Sequence, residues 1–167
     1  TYPQFDVTLV DNKSNPNELA KIEEYAANHV EKFGLHLIKN SSNLGYSGGN
    51  NVGIEYAMSQ GADYVLILNN DTVVGSDFLE NLIEFGEKNK EYGVFGPKIN
   101  IYRYGPGEDK IWFSGADISF LNTDVQHKTD PNNRSGETGY IPGAALCIRR
   151  EIVEKIGYLD EDYFLYL

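Results

Sequence analysis

The amino-acid sequence predicts an α/β protein in which a mostly parallel sheet is flanked by helices, followed by a smaller region of mixed or antiparallel strands. Up to residue 93, apolar strand-like segments alternate with amphipathic helical segments. This alternation is typical of a parallel sheet with right-handed crossovers. After residue 93 the apolar segments are short and glycine and proline separate them. We therefore interpret 1–167 as one domain, with halves at 1–93 and 94–167.

The first half is predicted to contain three strands, at 5–10, 35–38 and 63–68, each rich in apolar and β-branched residues. The first helix is expected at 16–33, because Asn15 and Pro16 form a typical start and Gly34 a typical end. Its apolar residues recur at steps of three and four: Leu19, Ile22, Ala26, Val30 and Phe33.

Two further helices are expected in this half. Asn50 or Asn51 can cap a helix that ends near Gln60 and Gly61, after a loop at 40–49. Ser76 can cap the next helix, whose inward face would carry Phe78, Leu79, Leu82, Ile83 and Phe85.

The second half is predicted to contain short strands at 94–96, 99–102, 111–113 and 140–148, and a helix at 150–156 that ends at Gly157. The polar stretch 122–139 is interpreted as a mobile loop. The single cysteine, Cys147, lies in an apolar run, which predicts a buried structural thiol rather than a nucleophile.

Composition narrows the function classes. With 14 basic and 25 acidic residues the chain has a net charge of −11, which argues against nucleic acid as a partner. One cysteine permits no internal disulfide and no zinc site, and it is compatible with a reducing compartment. No apolar run approaches the roughly 20 residues of a membrane span. The chain starts at Thr1, which indicates a segment taken from within a longer protein.

Polar residues stand at three predicted strand ends. Asn69-Asn70-Asp71 follows a hydrophobic strand, where a carboxylate can hold Mg²⁺ or Mn²⁺, although turn formation alone would explain the tripeptide. A glycine-rich loop at 43–53 leads into a helix, whose N–H groups can meet an anion, although a tight turn is the alternative. Asp11 can contact a ligand or cap the turn that follows it. On one parallel sheet the three features would share an edge.

The sequence resembles family-2 glycosyltransferases, and within them the rhamnosyltransferase-like enzymes of bacterial cell-surface polysaccharide synthesis. Five blocks carry the resemblance in order: Val-Asp-Asn-Lys-Ser, Gly-Tyr-Ser-Gly-Gly-Asn-Asn, Leu-Asn-Asn-Asp-Thr, Gly-Ala-Ala-Leu and Gly-Tyr-Leu-Asp-Glu-Asp-Tyr-Phe-Leu-Tyr. The resemblance implies a GT-A (Rossmann-like) fold, a nucleoside-diphosphate sugar donor such as a dTDP- or UDP-sugar, and a glycan or lipid-linked acceptor. It also implies a cytoplasmic location, compatible with peripheral association of the longer protein with the inner face of the membrane.

The resemblance assigns roles to particular residues. Asp11 matches the acid that reads the pyrimidine base, Asp71 the ligand of Mn²⁺ or Mg²⁺, and Asn69 a residue facing the ribose or a metal-bound water. Asn69 replaces an acid and Asn50 stands where many relatives carry arginine, so both remove charge. Trp112 is interpreted either as part of the acceptor side or as a core residue. The residues expected to contact the donor are Asp11, Gly45, Gly48, Gly49, Asn50, Asn69, Asn70, Asp71, Gly143 and Ala144.

Two departures from the family's pattern lead us to expect a chain cut at both ends. The strand-helix unit that normally precedes the Asp11 strand, about 35 residues, does not precede it here. The acidic pair that supplies the general base is expected beyond Leu167, so the catalytic base is unknown and the isolated segment is expected to be weakly active or inactive. The alternatives are a non-catalytic nucleotide-sugar-binding or regulatory module and a nucleotidyltransferase, whose basic glycine-rich N-terminal loop the sequence lacks.

Overall fold

The computed structural model describes residues 2–102, 110–119, 121, 124–129 and 135–165, with the backbone alone at 30–33. The chain divides into two compact units, one formed by Thr1–Val65 with Arg149–Leu167 and the other by Leu66–Ile148. The boundary between them passes through two strands of the chain. The functional division expected at residue 93 stays a prediction.

The first unit opens with the predicted strand, helix and strand. Strand β1 spans Val7–Asp11, helix α1 Pro16–Phe33 and strand β2 Leu35–Lys39. The Asn15 side chain accepts hydrogen bonds from the N–H groups of Asn17 and Glu18, and Gly34 ends the helix with a φ of 57°, which glycine adopts at little cost. Strands β1 and β2 pair in parallel, as the alternating pattern predicts.

Helix α2 spans Gly45–Ser59 and begins earlier than predicted. Asn50 and Asn51 lie inside the helix, so the expected capping role of either residue is wrong, as is the loop expected to extend to residue 49. Glycine is a poor helix former, costing about 1 kcal/mol relative to alanine, and tertiary packing overrides that preference here. A Cβ atom at Gly53 would lie 3.3 Å from the Val10 side chain, so the glycines let α2 pack closely on β1.

Strand β3 spans Tyr64–Leu68 and continues from the first unit into the second. Helix α3 spans Phe78–Lys88. Its N-cap position is Asp77 rather than the predicted Ser76, and Asp77 makes no capping bond through its side chain. Of the residues expected on its inward face only Leu82 is buried, and the other four are half-buried.

Short strands follow, most of them where the sequence predicts them. They are β4 at Val94–Phe95, β5 at Ile99–Asn100 and β6 at Ile111–Phe113, and β5 pairs with β6 in antiparallel fashion. Strands β7 at Ala116–Ser119 and β8 at Asp124–His127 form a second antiparallel pair. The interpretation of 122–139 as a loop is therefore wrong for β8, while residues 122, 123 and 130–134 lie outside the described residues.

Strand β9 spans Ala145–Arg149 and lies between β3 and β4 in a three-stranded sheet. β9 and β4 are antiparallel. Strand β3 thus belongs to a different sheet from β1 and β2, whereas the sequence predicts one sheet for all three. Because apolar periodicity carries no information about which strands become neighbours, the sequence pattern alone does not separate the two sheets.

Helix α4 spans Arg150–Ile156, as predicted. The Arg150 guanidinium donates to the carbonyls of Met58 and Ala62, at 2.9 and 2.8 Å. These bonds tie the start of α4 to the end of α2 and the turn that follows it, where the Met58 carbonyl also accepts from the Gly61 N–H at 3.1 Å. The buried thiol of Cys147 is confirmed, since the residue is 0% exposed.

Candidate functional site

The turn after β1 holds Asp11 in a buried position. Asp11 is 4% exposed, and its carboxylate accepts a hydrogen bond of 3.1 Å from the N–H of Ser14. Lys13, between them, has a φ of 73°, which is uncommon for a residue with a side chain. The capping role that the sequence left open for Asp11 is therefore present, and the residue leaves little surface accessible to a ligand.

The neighbouring Asn12 connects this turn to the start of α2. Its side-chain N–H groups donate to the Asn43 side chain and the Gly45 carbonyl, both at 2.9 Å. Its oxygen accepts from the Asn40 side chain at 3.1 Å and from the Leu44 N–H at 3.0 Å. An asparagine amide offers two donors and two acceptor positions, so all four are used.

The glycine-rich segment forms the first turn of α2, and Gly45, Gly48 and Gly49 are buried. Each of them allows a close approach by a neighbouring group. A Cβ atom would lie 2.4 Å from the Phe164 carbonyl oxygen at Gly45, 2.8 Å from the Leu44 side chain at Gly48, and 3.0 Å from the Asn12 side chain at Gly49. The glycines are thus explained by packing within the first unit.

Two of the N–H groups at this helix start, expected to meet an anion, have partners in the chain itself. The Gly45 N–H donates to the Asn43 side chain at 2.9 Å, and the Tyr46 N–H donates to the Phe164 carbonyl at 2.5 Å. Asn50, also a candidate, donates to the Tyr46 carbonyl one turn back at 2.9 Å. Burial raises the pKa of the Tyr46 phenol, so Tyr46 is a neutral hydrogen-bonding group at ordinary pH.

Asn51 ties the segment 159–164 to the same helix. Its side chain donates to the Leu159 carbonyl and to the Glu161 carboxylate, at 2.8 and 2.9 Å, and accepts from the Leu159 N–H at 2.9 Å. Asn51 is itself buried, with 8% of its surface exposed. Glu161 is therefore engaged in holding this segment.

The second unit carries the other predicted cluster. Asn69, Asn70 and Asp71 follow β3 and all three are exposed. The Thr72 hydroxyl and the Thr72 N–H both donate to the Asn69 carbonyl, at 2.7 and 3.3 Å, and close a tight turn. Among the described residues, none donates a hydrogen bond to the Asp71 carboxylate.

This turn lies beside another of the predicted segments. The Asn69 N–H donates to the Ala144 carbonyl at 3.0 Å. The structure therefore brings together, within one unit, the tripeptide and the 143–144 segment, both of which the resemblance assigns to the donor. Asp11 and the glycine-rich turn are brought together in the other unit. Because β1 and β3 belong to different sheets, the common sheet edge expected for both groups is wrong.

The Asp71 turn fits one mode of metal binding. Within the described ranges, no group of three or more His, Cys, Asp or Glu side chains is placed to hold a metal ion. The described residues therefore do not supply a complete set of side-chain ligands for an ion. Mg²⁺, however, is commonly held by one or two carboxylates together with substrate phosphates. A single exposed carboxylate with two amide side chains beside it suits an ion of that kind.

Trp112 belongs to an aromatic cluster on the β6 and β8 strands. It is 43% exposed, and its ring lies edge-on to His127 with centroids 6.3 Å apart. The Tyr140 hydroxyl and the His127 Nε2 atom are 2.7 Å apart. Phe113 is the buried member of the cluster, at 4% exposure. The core role considered for Trp112 is therefore wrong, and Phe113 fills it instead.

The sequence carries a family signature across most of its length. A sequence model described as glycosyl transferase family 2 matches residues 1–157. The chain belongs to this family. The α/β architecture with parallel and antiparallel strands is that of the family's GT-A fold, as the resemblance implies. In the described part of the chain, no helix has the combination of length and apolar character needed to cross a membrane.

Several curated proteins are similar to the chain. A low-salt glycan biosynthesis hexosyltransferase of Haloferax volcanii, Agl10, is 27% identical over 139 residues, which cover 79% of this chain and 43% of that protein. A dTDP-rhamnosyl transferase of Shigella flexneri, RfbF, is 28% identical over 162 residues, covering 95% and 49%. An uncharacterized protein of Mycobacterium tuberculosis is 25% identical over 127 residues, covering 73% and 42%. The chain thus spans less than half the length of these relatives.

Sequence reasoning missed Asn12 and Asn51 as organising residues. Asn12 is simply one of several polar residues after β1, and Asn51 reads as a helix cap. A usable signal for Asn12 was the concentration of asparagines at 40 and 43, since asparagine side chains form networks with nearby turns. For Asn51 the partners lie 108 and 110 residues away in the chain, and no local pattern identifies them.

Proposed function

We propose that the chain carries the donor-binding portion of an inverting glycosyltransferase that uses a dTDP- or UDP-sugar. The transferred sugar is a hexose or rhamnose, and the acceptor is a glycan or lipid-linked glycan of a bacterial cell-surface polysaccharide. The longer protein works in the cytoplasm, at the inner face of the membrane. Family membership supports the nucleotide-sugar donor, and the Haloferax and Shigella relatives, named as hexosyl and dTDP-rhamnosyl transferases, favour this sugar class.

The observation that carries the proposal is the Asp71 turn. The Asp71 carboxylate lies in a tight turn directly after a sheet strand, and none of the described residues donates a hydrogen bond to it. The same turn is bonded to the Ala144 carbonyl through the Asn69 N–H. The carboxyl ends of strands in α/β sheets are where ligands bind. In this proposal Asp71 holds Mn²⁺ or Mg²⁺, with the amides of Asn69 and Asn70 beside it. Such an ion, when bound, neutralises charge on a diphosphate leaving group.

The other named residues act on the nucleotide and the sugar without covalent chemistry. Asp11 and the turn containing Gly45, Gly48, Gly49 and Asn50 contact the nucleoside part of the donor. Gly143 and Ala144 border the sugar, where the absence of a large side chain leaves room for a ring. The base that removes the acceptor proton lies outside this set, so the isolated chain is expected to bind donor and to transfer little sugar.

Isothermal titration of the chain with UDP, dTDP and GDP, each with and without Mn²⁺, tests the proposal. We expect UDP or dTDP to bind with an affinity that requires the metal, because the diphosphate and Asp71 would share it. Binding of none of the nucleotides in either condition would contradict the proposal and favour a non-catalytic regulatory module. A nucleotidyltransferase would instead require a nucleoside triphosphate and a sugar phosphate, which the same titration can include.

A further inference from the structure

We infer that Asn12 is a positioning residue of the donor site, one that fixes Asp11 and the glycine-rich turn relative to each other. This inference rests on the proposed function, which assigns both features to the nucleoside part of the donor. Asn12 itself is only half-buried, but its amide is the hydrogen-bonding centre of the turn.

All four hydrogen-bonding positions of the Asn12 amide are occupied. The Asn12 amide makes four hydrogen bonds of 2.9 to 3.1 Å to three different chain positions before α2 and to the Gly45 carbonyl. No rotation of the side chain keeps all four, so the amide has one favoured orientation. A saturated network of this kind is stiff, because each bond fixes the geometry of the others.

Asn12 also lies next to both features, Asp11 in the chain and the glycine-rich turn in space. Asn12 follows Asp11 directly, and the Asn40 N–H donates to the Asp11 carbonyl at 2.9 Å. The same Asn12 amide rests on Gly49, where any Cβ atom would lie 3.0 Å from its nitrogen. Asn12 is therefore joined to Asp11 through the backbone and contacts the glycine-rich turn through its amide. Binding sites of this type depend on supporting residues that hold the contacting groups within a fraction of an ångström.

The network also requires a side chain at position 12 that both donates and accepts hydrogen bonds. Two of the four partners, the Asn43 side-chain oxygen and the Gly45 carbonyl, accept hydrogen bonds and need donors facing them. Aspartate has the same shape as asparagine but presents only acceptors when ionised. A carboxylate at position 12 would place negative charge against both oxygens while leaving the packing volume unchanged.

The experiment compares nucleotide affinity in Asn12→Ala, Asn12→Asp and a matched control, Ile54→Val. Ile54 is 2% exposed on the same helix and has no assigned role in binding, so its variant lowers stability without touching the network. Titrations with UDP and dTDP in Mn²⁺ are run well below the melting temperature of each variant. We expect both Asn12 variants to bind about tenfold more weakly, with the isosteric aspartate at least as weak as alanine, and Ile54→Val to match the parent.

A second variant guards against poor folding at position 12. Asn43→Ala removes one acceptor of the network at an exposed site, and we expect a smaller but measurable loss of affinity together with faster amide exchange at Gly45. Unchanged affinity in the Asn12 and Asn43 variants, with the parent protein binding nucleotide normally, would overturn this inference alone. Absence of nucleotide binding by the parent protein would remove the proposed function and this inference with it.

Discussion

The two clusters of predicted donor-site residues differ in how they are held. The first turn of α2 is buried and its polar groups are bonded to Asn12, Asn43 and Phe164. The turn at 69–71 is exposed, and its aspartate has no donor facing it among the described residues. The comparison indicates that the first cluster is held in place by hydrogen bonds within its own chain, whereas the second leaves its carboxylate exposed.

This difference changes how a glycine-rich sequence should be interpreted. Glycines at 45, 48 and 49 suggest room for a ligand, yet each of them accommodates a neighbouring part of the chain. An exposed acidic turn at the end of a strand looks like ordinary turn chemistry, yet it leaves a carboxylate free to bind a cation. The following predictions test this contrast, beginning with the largest expected effect.

Replacing Gly45 by alanine should strongly destabilise the first unit. Gly45 has a φ of 73°, and a Cβ atom would lie 2.4 Å from a backbone oxygen. Backbone strain at position 45 and displacement of the segment at 164 should together lower the free energy of unfolding by about 3 kcal/mol. Gly61→Ala is the control, because Gly61 has a φ of 85° but no atom within 4 Å of the added Cβ, so only about 1 kcal/mol of backbone strain is expected. If urea unfolding shows the same loss of stability in Gly45→Ala and Gly61→Ala, the packing explanation is contradicted.

Replacing Asn51 by alanine should release the segment at 159–164 from α2. The change removes three hydrogen bonds at a buried site and should lower the free energy of unfolding by about 2 kcal/mol. Limited proteolysis should cut this segment faster than in the parent protein. Asn81→Ala, which removes one exposed bond to Asp77, should change stability by less than about 0.5 kcal/mol. A protected segment in Asn51→Ala would argue against its anchoring role.

Replacing Asp71 by asparagine should weaken metal-dependent nucleotide binding without affecting the fold. We expect at least about a tenfold rise in Kd, equivalent to about 1.4 kcal/mol, because the amide is a much poorer ligand for a hard cation than a carboxylate. Chelation of the metal should bring the parent protein to the same weak affinity. Asp63→Asn, another exposed acid, provides the control for charge. A Kd that stays the same in Asp71→Asn would place the metal elsewhere.

Replacing Thr72 by alanine should have the smallest effect. The variant loses the hydroxyl bond to the Asn69 carbonyl but keeps the backbone bond to the same oxygen. About 0.5 kcal/mol of stability should be lost, measured by thermal unfolding, and Thr72→Ser should recover it. A much larger loss would show that the exposed turn is as tightly organised as the first turn of α2.

The sequence by itself determined much of the local structure. Asn15, Pro16 and Gly34 place both ends of α1 correctly, because capping and backbone preferences act within a few residues. Other sequence patterns that extend over only a few residues predict β1, β2, α4 and the burial of Cys147. The five sequence blocks also indicate the family. Their order and spacing together are specific to it, although no single block is.

Tertiary structure decided what depends on partners distant in the chain. Helix α2 begins at Gly45, against glycine's own preference, because Asn12 and Phe164 lie against its first turn. Strand β8 forms in a stretch that the sequence predicts as a polar loop, since its pairing with β7 rather than apolar alternation holds it. Periodicity records which face of a segment is apolar, but the neighbour that covers the face, or saturates a buried amide, is fixed only when the whole chain has folded.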